Sequence, residues 1–397
     1  MRKVEFFKHN IGPEEIASVT EALKGTMLTT GERVQEFEEK FAAYLECRFA
    51  VGLTSCTGAL HLSLLAHDVG PGDEVITTPM SFVATANAIL QAGASPVFVD
   101  VEPETGNINA DLIEGAITSR TKAILPVHLY GQMCDMKRIR QIADRRSLIV
   151  VEDAAHALEA ERDGVRPGQL GETACFSFYP TKSITSGEGG AAVTNTPEIV
   201  KELKKLRLHG MDLIAMDRYG KHYQHWDVAG FGWKYNMDNI QAAMLVPQLR
   251  HVEKHRRRRE EICRRYEAAL SGTPGLDFPK VLPGCKSGRN LFTIWVDPER
   301  RDEILWELQE KSVGVVVNYR PIHLLTYYRR TFEYGEGMFP VAERIGQRTI
   351  ALPLYPKLTN GEVDYVIAAV KKAVGKPSGS SSGKTGLGVM GSRRSKR

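Results

Sequence analysis

The chain has 397 residues, of which 42% are hydrophobic and 25% are charged, with 52 Lys and Arg against 48 Asp and Glu. This composition is ordinary for a folded protein and excludes disorder along the whole chain, and about 100–200 residues per domain predicts two domains. Six of the basic residues and no acidic residue lie in 376–397, so the net charge of the remainder is +4 − 6 = −2. The overall positive charge therefore does not indicate nucleic-acid binding.

Targeting and metal signals are absent from the sequence. No segment has 18 consecutive apolar residues, and the charged stretch Met1–Asn10 is not followed by an apolar run, so we predict neither membrane insertion nor a signal peptide. None of the six cysteines forms a C-x-x-C pair, which favours reduced, mostly buried thiols and no metal site. We expect a cytoplasmic protein.

From Glu14 to about Arg250, helix-like and strand-like segments alternate along the chain. Strands rich in β-branched residues are predicted at Glu74–Thr78, Ser95–Val99, Ala123–Val127 and Ser147–Val151. Helical spacing is found at Phe37–Leu45, Ser81–Gln91, Ala110–Ile117 and Met136–Arg145. This alternation predicts an α/β fold with a buried, mostly parallel sheet and right-handed crossovers.

Beyond this region the pattern changes. One long helix is predicted over Asn239–Leu270, and the basic run Lys254–Arg259 within it is interpreted as a solvated face. After Gly272, strands are predicted at Leu291–Val296 and Val313–Asn318, with helices at Glu303–Lys311 and Asp364–Val374. We expect a large domain over 1–250, a small α/β domain over 251–375 and a disordered, Gly/Ser-rich basic tail over 376–397.

One apolar strand ends in two carboxylates. The predicted strand that begins at Ser147 runs into Glu152 and Asp153. Ligands of an open parallel sheet bind beyond the carboxyl ends of its strands, and strand alternation points these two side chains to opposite faces. We predict that Asp153 faces a ligand. The alternative is that it caps a helix beginning at the Ala-Ala-His-Ala stretch that follows.

A lysine lies on a glycine-rich loop after the next predicted strand. The stretch Cys175–Lys182 carries Ser177 and Lys182 off the strand, and Gly187–Gly190 contributes three glycines before another strand begins. Burying an ammonium group is costly, so partial desolvation lowers the pKa of the lysine and makes its amine a nucleophile able to form a Schiff base. An exposed loop lysine is the alternative.

Two upstream stretches add a candidate phosphate site and an aromatic ring. The hydroxyl-rich stretch Thr54–Thr57 precedes a helical pattern, and backbone amides at a helix N-terminus bind phosphate groups. A plain helix cap is the alternative. Phe82 begins the next helical pattern, and packing in the core is the alternative for its ring.

The combination of these four features is more specific than any one of them. A phosphate cradle, an aromatic ring, a strand-end carboxylate and a loop lysine follow one another on one doubly wound sheet. Pyridoxal 5′-phosphate (PLP) requires all four: donors for its phosphate, a flat partner for its ring, an acid that keeps the pyridine nitrogen protonated, and an amine for its aldehyde. The residues therefore predict a PLP-dependent enzyme.

Several strings resemble the DegT/DnrJ/EryC1/StrS family of sugar aminotransferases, in the order found in that family and over about Phe6–Val374. The clearest are VEDAAHA at Val151–Ala157, FSFYPTK at Phe176–Lys182 and GEGG at Gly187–Gly190. Further similar strings are Pro126–Gly131, Trp233–Asp238 and Ala351–Tyr355.

The resemblance implies the aspartate-aminotransferase-type fold (fold type I of PLP enzymes) and a homodimer with shared active sites. It also implies that Lys182 carries the cofactor, that Asp153 binds the pyridine nitrogen and that Asn236 reaches the phosphate in the partner subunit's site. The other implied cofactor-binding residues are Cys56, Thr57, Phe82, His156 and Ser177. The residues implied around the sugar nucleotide are Leu28, Thr29, Thr30, Gly31, Tyr319 and Arg320.

The resemblance also narrows the reaction. Lys182 stands where dehydratase relatives carry histidine, which favours amino transfer. The strings Leu208–Met211, Ala215–Arg218 and Asn318–His323 are most similar to aminotransferases that act at C-4 of UDP-linked 4-keto sugars, although Asn318 replaces the usual histidine. The implied substrates are L-glutamate and a nucleotide-linked keto sugar, in surface-polysaccharide or amino-sugar biosynthesis.

Four alternatives to this reaction remain open from the sequence. Two are PLP enzymes, namely an aminotransferase acting at C-3 of the sugar and a sugar dehydratase. The third is a binding or regulatory protein that retains the fold. The fourth is a nucleic-acid or membrane-surface protein that uses the basic tail and Arg256–Arg259.

Overall fold

The computed structural model describes residues 3–211 and 225–376. Two sequence-based expectations lie outside the described residues. They are the disordered tail, apart from Lys376, and the string Ala215–Arg218.

A seven-stranded sheet lies at the centre of the molecule. Its strands are β1 (Phe49–Leu53), β2 (Glu74–Thr77), β3 (Ser95–Phe98), β4 (Thr121–Leu125), β5 (Ile149–Asp153), β7 (Thr173–Ser177) and β8 (Gly190–Thr194), and the short β6 (Glu161–Arg162) lies outside it. The spatial order is β1-β8-β7-β5-β4-β2-β3, and only β8 is antiparallel to its neighbours. The predicted α/β class with a mostly parallel sheet is confirmed.

Helices accompany this sheet along the chain. Their bounds are α1 (Pro13–Lys24), α2 (Glu32–Leu45), α3 (Cys56–Ala66), α4 (Ala84–Gln91), α5 (Ala110–Ile113), α6 (Met136–Arg146), α7 (Pro197–Leu206), α8 (Asn239–Leu249) and α9 (Val252–Leu270). Alternate strand residues enter different apolar clusters: Val151 and Cys175 pack in one, Ala174 and Phe176 in a second and Val150 in a third. Both faces of the sheet are therefore buried, as a parallel sheet requires.

A second, smaller group of elements follows α9. It contains β9 (Leu276–Asp277), β10 (Cys285–Lys286), β11 (Phe292–Val296), α10 (Arg301–Glu310), α11 (Thr326–Phe332), α12 (Pro340–Arg348), β12 (Thr349–Leu352) and α13 (Asn360–Val374). The antiparallel order β12-β11-β9 forms a three-stranded sheet, whereas β10 pairs with β6. The core of this group also takes in Val4. The domain boundary at residue 250 stays a prediction.

The order and direction of the strands determine which loops lie side by side at the edge of the sheet. Strands β5 and β7 are parallel neighbours, and β1 has the same direction because both it and β7 are antiparallel to β8. The carboxyl ends of β1, β5 and β7 therefore lie at one edge of the sheet, together with the beginning of β8. This edge places Asp153 and Ser177 beside the turn that leads from Leu53 into α3.

Three sequence-based expectations after residue 239 are wrong. The predicted helix Asn239–Leu270 is two helices, α8 and α9, separated at Arg250 and His251; Pro247, which lacks an N–H group, weakens the last turn of α8. The predicted strand Val313–Asn318 is not regular, because it divides its pairing between N-terminal Val4 and strand β12. The basic run is not wholly solvated, because Arg259 is only 4% exposed.

Other expectations concern cysteines, metals and membranes. The six cysteines are free thiols, and all except the half-buried Cys285 are buried, as predicted. Within 3–211 and 225–376, no helix has both the length and the apolar character needed to cross a bilayer. Over the same residues, no group of three or more His, Cys, Asp or Glu side chains is placed to hold a metal ion.

Glu152 is a fully buried carboxylate that stabilises the back of strand β5. Its Oε1 accepts hydrogen bonds from the backbone N–H groups of Gly168 (3.1 Å) and Gly171 (2.9 Å). Its Oε2 lies 2.8 Å from Nε2 of His128, whose Nδ1 accepts the N–H of Cys134, so Nε2 donates to the carboxylate. Glu152 thus points away from Asp153, as strand alternation predicts.

Replacing this carboxylate removes the acceptor of three donors, two of them buried and one part-buried. We expect Glu152→Leu to lower the free energy of unfolding by about 3–5 kcal/mol, because each buried donor left without a partner costs roughly 1–3 kcal/mol. Thermal unfolding of the variant measures the effect. The exposed Glu299→Leu is the matched control and changes stability by less than about 0.5 kcal/mol. Equal stability of the two variants would contradict this role.

Candidate active site

Asp153 ends strand β5 with its carboxylate buried. Its Oδ2 accepts a hydrogen bond from the hydroxyl of Thr85 (2.7 Å), and its Oδ1 accepts the N–H of Ala155 (3.1 Å). The Thr85 oxygen lies 2.7 Å from the hydroxyl of Ser81, which therefore donates to it. Burial raises the pKa of Asp153 although both donors favour the charged form. A cation beside this carboxylate would complete the site.

The residues after Asp153 do not begin a helix, since Ala154–Ala160 form turns. The alternative interpretation of Asp153 as a helix cap is therefore wrong. Thr85 and Ser81 were not identified from the sequence as residues of the site. Ser81 and Thr85 are four residues apart, which places both hydroxyls on one side of the turn into α4. This spacing is the sequence signal that could have indicated that both belong to the site.

Lys182 lies half-buried on the loop between β7 and β8. Its backbone N–H donates to the carbonyl of Tyr179 (2.9 Å). Burial lowers the pKa of its amine to about 8, and the nearby Asp153 carboxylate and Cys56 thiol oppose that shift. These electrostatic interactions indicate that the amine lies on the same side of the sheet as Asp153. The alternative of an exposed loop lysine is wrong.

A narrow backbone cradle surrounds the N-terminus of α3. Ser55 caps this helix by accepting the N–H of Gly58 (3.0 Å), which leaves the first-turn amides of Cys56 and Thr57 without partners inside the helix. Gly190 pairs with Ser177 in the sheet, and a Cβ atom on it would lie 2.4 Å from the backbone nitrogen of Cys56. Glycine is thus required where this strand approaches the helix N-terminus. The structure brings Cys56, Thr57 and Ser177 together around a site suited to an anion.

His156 and two aromatic rings lie beside the carboxylate. Nε2 of His156 is 3.2 Å from the hydroxyl of Tyr319, and the two rings are nearly parallel with centroids 6.1 Å apart. Its Nδ1 is buried without a hydrogen-bond partner among the described residues. Burial lowers the pKa of His156, followed by the effect of Lys182, so the ring is neutral. The Phe82 ring lies 6.1 Å from that of Tyr319 and is 59% exposed, which excludes core packing.

These residues fit PLP on observations of the protein alone. A pyridine ring with a hydroxyl substituent would give the buried Asp153 carboxylate a cation and the buried Nδ1 of His156 a hydrogen-bond partner. It would also give the exposed Phe82 ring a flat partner. The α3 cradle offers backbone amides to a phosphate, and Lys182 offers an amine to an aldehyde. The role of each residue toward the cofactor stays a prediction.

A second group of predicted residues lies around Asn236. The Asn236 amide donates to the hydroxyl of Thr30 (2.7 Å) and reaches that of Thr29 (3.5 Å), while its oxygen accepts from Lys234. Thr30 in turn donates to the carbonyl of Met237 (2.7 Å). None of these hydrogen bonds in the described part of the chain reaches Lys182 or Asp153.

The remaining predicted substrate residues are divided between the two groups. Leu28 is exposed, and its carbonyl accepts the N–H of Asn239 (3.1 Å). Gly31 is buried close to the Asn239 side chain. Tyr319 belongs with His156, but Arg320 is exposed and donates to the carbonyl of Leu324 (3.3 Å).

Comparison with known proteins identifies the family of the chain. Residues 9–371 match the DegT/DnrJ/EryC1/StrS aminotransferase family. The chain is 44% identical over 373 residues to an uncharacterized protein of Methanocaldococcus jannaschii, covering 93% of this chain and 97% of that one. It is 41% identical over 370 residues to the spore coat polysaccharide biosynthesis protein SpsC of Bacillus subtilis, covering 92% and 95% respectively.

Solved structures give the same result. DesV of S. venezuelae superposes with a TM-score of 0.88 at 34% identity, covering 95% of this chain and all of DesV. The PLP form of the putative sugar aminotransferase Spr1654 of Streptococcus pneumoniae has a TM-score of 0.88 at 31% identity, covering 94% and 99%. A PMP form of Spr1654 matches equally well. On the evidence of its sequence and its fold, the chain belongs to the DegT/DnrJ/EryC1/StrS family of aminotransferases and uses pyridoxal phosphate as its cofactor.

Proposed function

We propose that the protein transfers an amino group from L-glutamate to C-4 of a nucleotide-linked keto sugar, with UDP as the carrier nucleotide, in surface-polysaccharide or amino-sugar biosynthesis. The observation that carries the amino-transfer step is the pair formed by the Lys182 amine, with a pKa of about 8, and the buried Asp153 carboxylate. The family match and the similarity to SpsC support the sugar class of the acceptor.

Each residue of the site has its own role in the proposed reaction. When bound, pyridoxal phosphate supplies an electron sink for the amino donor. Asp153, oriented by Thr85 and Ala155, would hold the pyridine nitrogen of the bound cofactor in its positively charged form. The neutral Lys182 amine takes the proton from the donor's α-carbon, which its lowered pKa permits near neutral pH. His156 and Tyr319, which are hydrogen-bonded to each other, bind and orient polar groups beside the pyridine ring.

The nucleotide sugar enters beside exposed groups. The exposed Phe82 ring and the half-buried Tyr319 ring lie 6.1 Å apart, and the exposed Arg320 offers a guanidinium to an anionic carrier. Thr29 and Thr30 are hydrogen-bonded to Asn236, and Leu28 and Gly31 lie close to Asn239. We infer that they act in the site of the partner subunit of a homodimer. The enzyme is expected in the cytoplasm, where nucleotide sugars are made.

A panel of UDP-linked 3-keto and 4-keto sugars with L-glutamate tests the substrate assignment. We expect a 4-amino sugar and 2-oxoglutarate from the 4-keto substrates, identified by mass and NMR. Lys182→Ala removes the only proposed proton carrier, so turnover should fall by at least about 10⁴-fold. A 3-amino or dehydrated product would replace the C-4 assignment, and activity in the variant would overturn the role of Lys182.

The low pKa of Lys182 predicts how the cofactor-free protein recombines with pyridoxal phosphate. Only the neutral amine attacks an aldehyde, so the rate should rise from pH 7 and level off above about pH 8. Growth of the long-wavelength absorbance measures this rate. Because the Asp153 carboxylate raises the pKa of Lys182, Asp153→Asn should shift the midpoint to lower pH. A rate that keeps rising to pH 10 would show an ordinary lysine.

Sharing of the site between subunits predicts complementation. Lys182→Ala and Asn236→Ala should each be impaired alone. In an equimolar mixture half of the dimers are mixed, and each contains one intact site, so about a quarter of wild-type activity should return. Activity after subunit exchange measures this recovery. If the mixture stays as inactive as its components, Asn236 does not act across a dimer.

A further inference from the structure

A buried ion pair is attached to the loop that carries Lys182. The hydroxyl of Ser183, the next residue, donates to Oε2 of Glu159 (2.9 Å) and accepts a hydrogen bond from Nη2 of Arg259 (3.2 Å). Nη2 of Arg259 also contacts Oε1 of Glu159. Ser183 therefore bonds to both members of the pair at once.

Both members of the ion pair are almost completely buried. Glu159 is 1% exposed and Arg259 is 4% exposed. The Arg259 guanidinium is further held by the carbonyls of Gly288 (3.0 Å) and Arg289 (3.0 Å). A buried pair recovers its desolvation cost only with good geometry and additional hydrogen bonds, and it contributes little net stability compared with an apolar contact. We therefore expect the pair to act mainly through the geometry that it imposes on the loop carrying Lys182.

The pair connects three separate parts of the chain. Glu159 lies six residues after Asp153, Arg259 lies on helix α9, and Ser183 lies on the loop between β7 and β8. Two residues beyond Ser183 in the same loop, the side chain of Gln248 accepts the N–H of Thr185 (3.0 Å) and donates to its carbonyl (2.8 Å). The lysine loop is thus bonded to α9 through the Ser183 hydroxyl and to α8 through the backbone of Thr185.

We propose that Glu159 and Arg259, acting through Ser183, are positioning residues that hold the Lys182 amine in the direction required for proton transfer. This inference rests on the proposed role of Lys182. Neither residue touches the reacting atoms. They restrict the backbone from which the lysine side chain projects, and a displacement of about 1 Å at a reacting group costs up to roughly 100-fold in rate.

Ser183→Ala isolates the positioning effect. It removes the link to the loop but leaves the Glu159–Arg259 pair and the Thr185–Gln248 bonds in place, so the fold is retained. We expect kcat to fall by about 10- to 100-fold, with KM for both substrates within about twofold. Visible circular dichroism of the bound cofactor should change as well, because it depends on how the protein orients the chromophore.

Ser186→Ala is the matched control. It makes the same change in the same loop, but the Ser186 hydroxyl donates only within the loop, to the carbonyl of Glu188 (2.7 Å). Its kcat and visible circular dichroism should match the wild type. Glu159→Gln approaches the network from its other end and should reproduce the spectral change of Ser183→Ala, with a lower thermal midpoint because the buried guanidinium loses its partner charge.

The outcomes separate this inference from the proposed function. A tenfold or greater loss of kcat together with altered circular dichroism in Ser183→Ala, but not in Ser186→Ala, supports positioning. Wild-type kcat and spectrum in Ser183→Ala would overturn it, even if Lys182→Ala is inactive as the proposed function requires. Equal losses in both serine variants would overturn it too, because the effect would then belong to the loop as a whole.

Discussion

The Asp153 carboxylate is buried at the carboxyl edge of the central sheet, where desolvation disfavours its charge. Two donors, the hydroxyl of Thr85 and the N–H of Ala155, orient it but do not neutralise it. A buried carboxylate in this state is stabilised by a cation, and a protonated pyridine nitrogen is a cation of suitable shape. Lys182, His156 and the phosphate cradle at the N-terminus of α3 are arranged so that such a cation can be bound beside Asp153.

The topology of the sheet makes that arrangement possible. Because β8 runs antiparallel between β1 and β7, its first residue lies at the same edge as the ends of those strands. Gly190 then closely approaches the backbone of Cys56, so the cradle and the lysine loop are joined at a single residue. On the far side of β5, Glu152 is held by His128 and two glycine amides, which fixes the strand that presents Asp153.

The sequence predicted the residues nearest the chemistry better than those that support them. Asp153 and Lys182 were recognised because strand ends and glycine-rich loops have local signatures. Thr85, which donates to Asp153, was not recognised although it lies in the predicted helix Ser81–Gln91. The basic run was interpreted as solvated because its helical pattern is the same whether a given arginine faces solvent or a buried glutamate. Arg259 makes that contact 100 residues away along the chain.

By itself, the sequence determined the alternation of strands and helices, the mostly parallel sheet, the family and the cofactor, since each depends on residues close together in the chain. Only the tertiary structure decided that α8 and α9 are separate helices, that Arg259 is buried against Glu159, and that Asn236 donates to Thr30. The physical reason is that these features arise from packing between distant segments. No local periodicity records which buried charge or amide another segment will supply as a partner.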